Sequence, residues 1–365
     1  VHLLLTGRHM LKEVNKDFEP YLRPGVVSQS TSLIACFQST VNRKPSALKM
    51  GELGEVMFQK CLAMKFPGLT EVDYCTVVLK KLELRLLDTG EFGRLKNIVA
   101  GVALALGGNT MPPAHLDRLL ACILYSYRTS SHEQMGAAIQ GLCLAFGCQH
   151  IKQGHLKSIL GAILGSSKNS TDIQMRTMVL TLCSAFGSRR KLTPLHQAAL
   201  TQILDSHATT SSSQMGAMMQ SVCLTLGGTA MTAQHRDWIL QTILGSYGKS
   251  NTSQLAWMVL GVCHSLGGSD ISAANLKALL VQILAAPIID NPVQLGAILH
   301  LLLLDLGGGT ISALHSEVLV TGIRAAGRVD RVKSALAMIH GGENDLAILQ
   351  LDAPPVTGSK ELLPC

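Results

Sequence analysis

Two kinds of apolar stripe alternate along this chain. Leu116, Leu119, Leu120, Ile123 and Leu124 fall at i, i+3, i+4, i+7 and i+8, and Leu276, Leu279, Leu280, Ile283 and Leu284 repeat that spacing. Apolar residues at those steps share one side of an α-helix. Met135, Ile139, Leu142, Cys143 and Phe146 form a second helical stripe of different composition. Strand-type alternation is absent. The pattern predicts two alternating helices, here named A and B.

The stripes recur with a fixed step. Gln134, Gln174, Gln214, Gln254 and Gln294 each follow the last by 40 residues, as do Gly107, Gly147, Gly187, Gly227, Gly267 and Gly307. Three residues before the glutamines stand Ser131, Thr171, Ser211, Asn251 and Asn291. This is the capping box: the first side chain accepts from the backbone N–H at the third helical position, and Gln there reaches back to the N-cap N–H. Each box predicts the start of helix B. Pro292 fits the first helical position, where its missing N–H is harmless. The glycines predict its end, because Gly takes the left-handed conformation beyond a helix without a Cβ penalty. Thr193, Thr232, Ser272 and Ser312 then open helix A.

Stacked helix pairs of this length predict an all-α fold, a right-handed α-solenoid of ~40-residue HEAT- or armadillo-like repeats. Seven units cover 51–330, the first degenerate because Pro67 stands in the glycine column. Residues 1–50 are expected to be an irregular helical segment. Residues 331–365 are expected to be a degenerate C-terminal cap and a tail ending in the turn-forming Asp352-Ala353-Pro354-Pro355. The chain starts with Val1 rather than Met, and the reading is of a segment cut from a longer parent.

Composition shifts the picture toward partners. Charged residues make up 15% of the chain, against about 25% in an average domain, so some apolar surface is expected to face a partner or the rest of a longer chain. Net charge is +7, but the cations are scattered. Arg189, Arg190 and Lys191 share a loop, Arg324, Arg328, Arg331 and Lys333 lie near the end, and Arg176 interrupts a small-residue column made of Gly136, Gly216, Ala256 and Gly296. Arg176, Arg189, Arg190, Lys191, Arg324, Arg328 and Arg331 are the candidate partner contacts. The longest apolar run, 295–306, is broken by His300 and Asp305, and falls short of the ~20 residues of a membrane span. Cysteine usage without a small disulfide framework points to a reducing, cytosolic setting.

Two columns imitate chemistry. Cys143, Cys183, Cys223 and Cys263 recur in helix B, and His115, His155, His196, His235 and His315 recur in helix A, with Asn275 in the remaining copy. Equivalent helices pack about 8–10 Å apart, too far for a disulfide or a shared zinc ion. Core packing for the thiols and hydrogen bonding at exposed helix ends for the imidazoles are expected instead. No nucleophile elbow, phosphate loop, paired-histidine zinc motif or dinucleotide fingerprint occurs. No cofactor, metal or catalytic residue is expected.

The run Gly7-Arg8-His9-Met10-Leu11-Lys12-Glu13-Val14-Asn15-Lys16 and the Leu-Gly-Gly helix ends resemble the carboxy-terminal region of focadhesin-like eukaryotic helical-repeat proteins. The resemblance implies a cytosolic scaffold linked to focal adhesions and to upkeep of the Ski–exosome RNA-decay machinery. Apart from it, the repeat itself suggests a non-catalytic protein-binding scaffold. The alternatives are an RNA-binding repeat protein, disfavoured by an aromatic content of 4%, and a docking arm of a larger enzyme.

Overall fold

A computed structural model describes residues 92–125, 131–147, 151–185, 192–339 and 342–351. The expectations for 1–50, the degenerate repeat at 51–90, the Arg189-Arg190-Lys191 loop and the tail lie outside the described residues. Among those described, every regular element is helical. The chain divides into two compact units, Val1–Leu226 and Gly227–Cys365.

The first unit contains α1 (Phe92–Ala105), α2 (Pro113–Tyr125), α3 (His132–Ala145), α4 (Gln153–Gly165), α5 (Asp172–Ser184), α6 (Pro194–Asp205) and α7 (Ser212–Thr225). Odd-numbered helices are the B type and even-numbered ones the A type. Helix α3 packs on α1, α5 on α3 and α7 on α5, while α4 packs on α2 and α6 on α4. The second unit contains α8 (Ala233–Gly245), α9 (Thr252–Ser265), α10 (Ala273–Ala285), α11 (Pro292–Asp305), α12 (Ala313–Ala325), α13 (Val329–Ala337) and α14 (Gly342–Leu349). There α11 packs on α9, α13 on α11, α10 on α8 and α12 on α10. Each unit is an α-solenoid of helix pairs, with a B layer and an A layer.

The core lies between the layers. Leu119, Leu120 and Ile123 of α2 and Leu279, Leu280 and Ile283 of α10 are fully buried, as are Ile139 and Leu142 of α3. One pair has no second apolar layer of its own, so each pair depends on its neighbours for burial.

The ends of the helices follow their local chemistry. Ser131, Thr171, Ser211 and Asn251 are N-caps of complete capping boxes. Such a cap stabilises its helix by about 1 kcal/mol. Asn291 also caps its helix, accepting from Gln294 N–H at 3.2 Å, but its box is half formed. The turn Pro287–Asp290 draws the Asn291 N–H to Ile288 O at 2.9 Å, so Gln294 Oε1 receives no bond from it and is buried without a partner. Beyond helix B, Gly107, Gly227, Gly267 and Gly307 have φ between 111 and 128°, which a side chain would resist.

The small-residue column is a place of close approach. A Cβ on Gly296 would collide with the carbonyl oxygen of Ala335 on α13, and one on Gly136 would come within 2.7 Å of Thr177 Cγ2 on α5. Gly296→Val is therefore expected to destabilise the second unit by about 3 kcal/mol. Gly154→Ala in α4, where an added Cβ meets nothing within 4 Å, should instead gain about 0.5–1 kcal/mol. Urea unfolding of the two variants checks the contrast; equal midpoints would refute it.

Candidate functional site

The glutamine column does more than cap. In α7, Gln214 Oε1 accepts from Ser211 N–H at 3.2 Å, while Nε2 donates to Ser167 O and Ser170 O, each at 2.8 Å. Those carbonyls belong to the A-to-B loop of the preceding repeat. Gln294 Nε2 donates likewise to Tyr247 O at 3.1 Å. One amide thus closes a helix start and ties it one repeat back. Glutamate could serve the cap but has no donor for the carbonyls.

The histidine column follows the same logic and differs from the expectation of exposed helix ends. His115, His196 and His315 are buried. His315 Nε2 lies 2.8 Å from Ile271 O. A carbonyl only accepts, so Nε2 carries the proton. His196 Nδ1 accepts from the Thr193 N–H at 3.3 Å, giving helix A a capping box of its own. His155 stacks on Phe146 with ring centroids 4.5 Å apart. Burial, and secondarily the charge of Lys152, holds its pKa below the ordinary imidazole value. Where the column carries Asn275, the buried Arg236 donates to its Oδ1 at 3.0 Å.

Cys143, Cys183, Cys223 and Cys263 are buried thiols outside any disulfide. Burial pushes the Cys183 thiol up to about 12. Cys263 is raised by burial first and by the charge of Asp305 second. Such thiols are poor nucleophiles. Among the described residues no cluster of three or more His, Cys, Asp or Glu could hold a metal ion.

Open space lies along two B helices of the first unit. Gly136, Ala137 and Gln140 of α3, with Thr177, Thr181 and Ser184 of α5, line a groove of about 440 Å³. Glu133, at its rim, has its carboxyl held below the ordinary range, chiefly by a hydrogen bond with the Ser131 side chain. Gly136 and Ala137 bring little volume to the α3 side of this groove. Between α9 and α11 of the second unit, larger groups stand at several of the equivalent positions. Trp257 replaces Ala137 in register. His264 Nε2 and Asp305 Oδ1, 2.6 Å apart, replace Leu144 and Ala185 and bridge α9 to α11. A similar bridge joins His300 Nδ1 to Asp345 Oδ2 at 2.6 Å, from α11 to α14.

Of the cations proposed from the sequence, Arg176 belongs to the first unit and Arg324, Arg328 and Arg331 to the second. Arg176 is half-buried in α5, and its carbonyl accepts from Ser221 at 2.7 Å. Arg324 reaches Leu351 O at 3.4 Å, Arg331 pairs with Asp290 at 3.5 Å, and Arg328 precedes α13 without a side-chain cap bond. The bonds of Arg324 and Arg331 lie within the second unit. The two histidine–aspartate bridges were not foreseen. Asp305 and Asp345 are 40 residues apart, and that spacing was the available signal.

Gln214→Glu should destabilise the first unit by about 3 kcal/mol at pH 7, since two loop carbonyls lose their donor and face a carboxylate. A carboxyl so placed is protonated more readily in the fold than in the open chain. Stability should therefore return as pH falls through its folded pKa, a trend that a pH series of urea unfolding would show and that Gln214→Met should lack. Alkylation gives a second check. Cys143, Cys183, Cys223 and Cys263 should resist iodoacetamide in the native chain at pH 8 and react once urea unfolds it, as mass spectrometry would show.

Comparison with protein families, curated proteins and solved structures finds no match to this chain.

Proposed function

We propose that this chain is a non-catalytic protein-binding scaffold that presents the B-helix face to its partner. The observation that carries the reading is the groove between α3 and α5. It is open, lined by residues of two adjacent repeats, and carries Glu133 as its single charged lining residue. A groove between parallel helices suits a protruding side chain or a helix of a protein better than it suits a phosphate backbone, which needs clustered cations. The low charge of the whole chain supports the same choice. Among the described residues no helix is long and apolar enough to cross a membrane.

The finer reading rests on the resemblance alone. It makes the partner a component of the Ski–exosome machinery or of focal adhesions, and the setting the cytosol.

The test is affinity capture from a eukaryotic cytosolic lysate with nuclease present. Gln140→Arg and Ser184→Arg place a bulky cation at exposed groove positions. Each should reduce recovery of the protein partner at least tenfold while leaving the circular dichroism and thermal midpoint unchanged. Undiminished recovery by both variants would remove the groove from the reading. Recovery that nuclease abolishes would replace a protein partner with RNA.

A further inference from the structure

The repeat grammar changes at α13. Ser334 stands in the glutamine column, so no amide ties this helix one repeat back. Arg328, at its N-cap, makes no side-chain cap bond, and the helix has 9 residues where the other B helices have 13 or 14. Helix α14 follows and touches α11, α12 and α13. It has only eight residues, and a helix that short does not persist without docking.

What docks it is specific. The Asp345 side chain is 3% exposed and bonds His300 Nδ1 at 2.6 Å. Leu349 and Leu351 are buried. A second polar tie is longer, Arg324 Nη2 to Leu351 O at 3.4 Å. Gln350, between the two leucines, has φ of 45°, the one positive φ outside glycine among the described residues. That conformation is strained for a residue with a Cβ. A short helix, a histidine–aspartate hydrogen bond at its root and a strained residue near its end describe an element held on by its surroundings.

We propose that α14 is a strap that undocks as a unit from α11, α12 and α13 while those helices stay folded, with the His300–Asp345 contact as its latch. Removing the imidazole donor leaves the buried Asp345 side chain without that hydrogen bond, so the latch dominates the closed state. When the strap opens, the part of α11 and α12 that it covers becomes accessible. The accessible surface of the second unit is then set by one contact rather than by the repeat stack.

Native-state hydrogen exchange of the full chain, read by mass spectrometry, tests this. In the unmodified protein, peptides from 342–351 should exchange faster than those of α11 and α12. Their rate should be nearly independent of low urea concentrations, because little surface is exposed in a local opening. Asp345→Ala should speed that exchange at least tenfold with α11 and α12 unchanged. His300→Gln, which keeps a donor, should have a smaller effect. The proposal is overturned if α14 in the unmodified protein exchanges only with α11 and α12, at a rate that rises steeply with urea. It is equally overturned if Asp345→Ala leaves α14 protected, or strips protection from α11 and α12 along with it.

Discussion

A buried backbone carbonyl must find a donor, and in this fold that requirement decides how repeats attach to one another. Helix pairs can cover their apolar stripes against any similar neighbour, since burial is not directional. The loop carbonyls between A and B helices cannot be satisfied so loosely. Gln214 answers for two of them with one amide nitrogen while its oxygen closes the start of α7. His315 answers for Ile271 O in the A layer, and Ser221 for Arg176 O in the B layer. Each bond runs backward by 44 to 47 residues. Apolar packing supplies most of the free energy of stacking, and these bonds fix its register.

The local half of this design could be read from the residues, and the long-range half could not. A cap and its reciprocal glutamine lie three residues apart, so Ser131 with Gln134 is complete within one helical turn. The glycine column is legible for the same reason: its conformation is a property of one residue and its own helix end. The second bond of the glutamine needs the placement of a loop one repeat away. The column held one hint, Gln in all five boxes from 134 to 294 where Glu would cap as well. The histidines were placed at exposed ends because sequence shows the turn they occupy and not the neighbour that covers it. The half-formed box at Asn291 failed for a local reason, a Pro-led turn that took its N–H first.

The groove was legible only as an absence of volume. A small-residue column containing Gly136 and Gly296 suggested close approach, and both do sit against the following helix. The same column leaves a groove at α3 and α5, because Gly136 is followed there by Ala137 and faces threonines. At the corresponding place in the second unit, Trp257 and the His264–Asp305 bridge stand instead. Repeats built on one plan thus differ most on the B-helix face, where burial exerts least control over side-chain choice.

Polarity along one column shows how such differences arise at small cost. Positions 145 and 185 carry Ala, 225 carries Thr, 265 carries Ser, and 305 and 345 carry Asp. Thr225 and Ser265 donate to carbonyls of their own helices, Val222 O and Val262 O, each at 2.7 Å. A hydroxyl can be satisfied inside one helix, so Thr and Ser are tolerated without help from a neighbour. An aspartate only accepts when ionised, and the carbonyls of its own helix offer it nothing. Asp305 and Asp345 therefore require a donor from another element, and His264 and His300 are those donors. Replacing a self-sufficient polar group by a dependent one converts a position within a helix into a link between helices. That conversion ties α9 to α11, whose N-caps and terminal glycines are those of the repeat, while the tie from α11 to α14 falls where the repeat grammar has already changed.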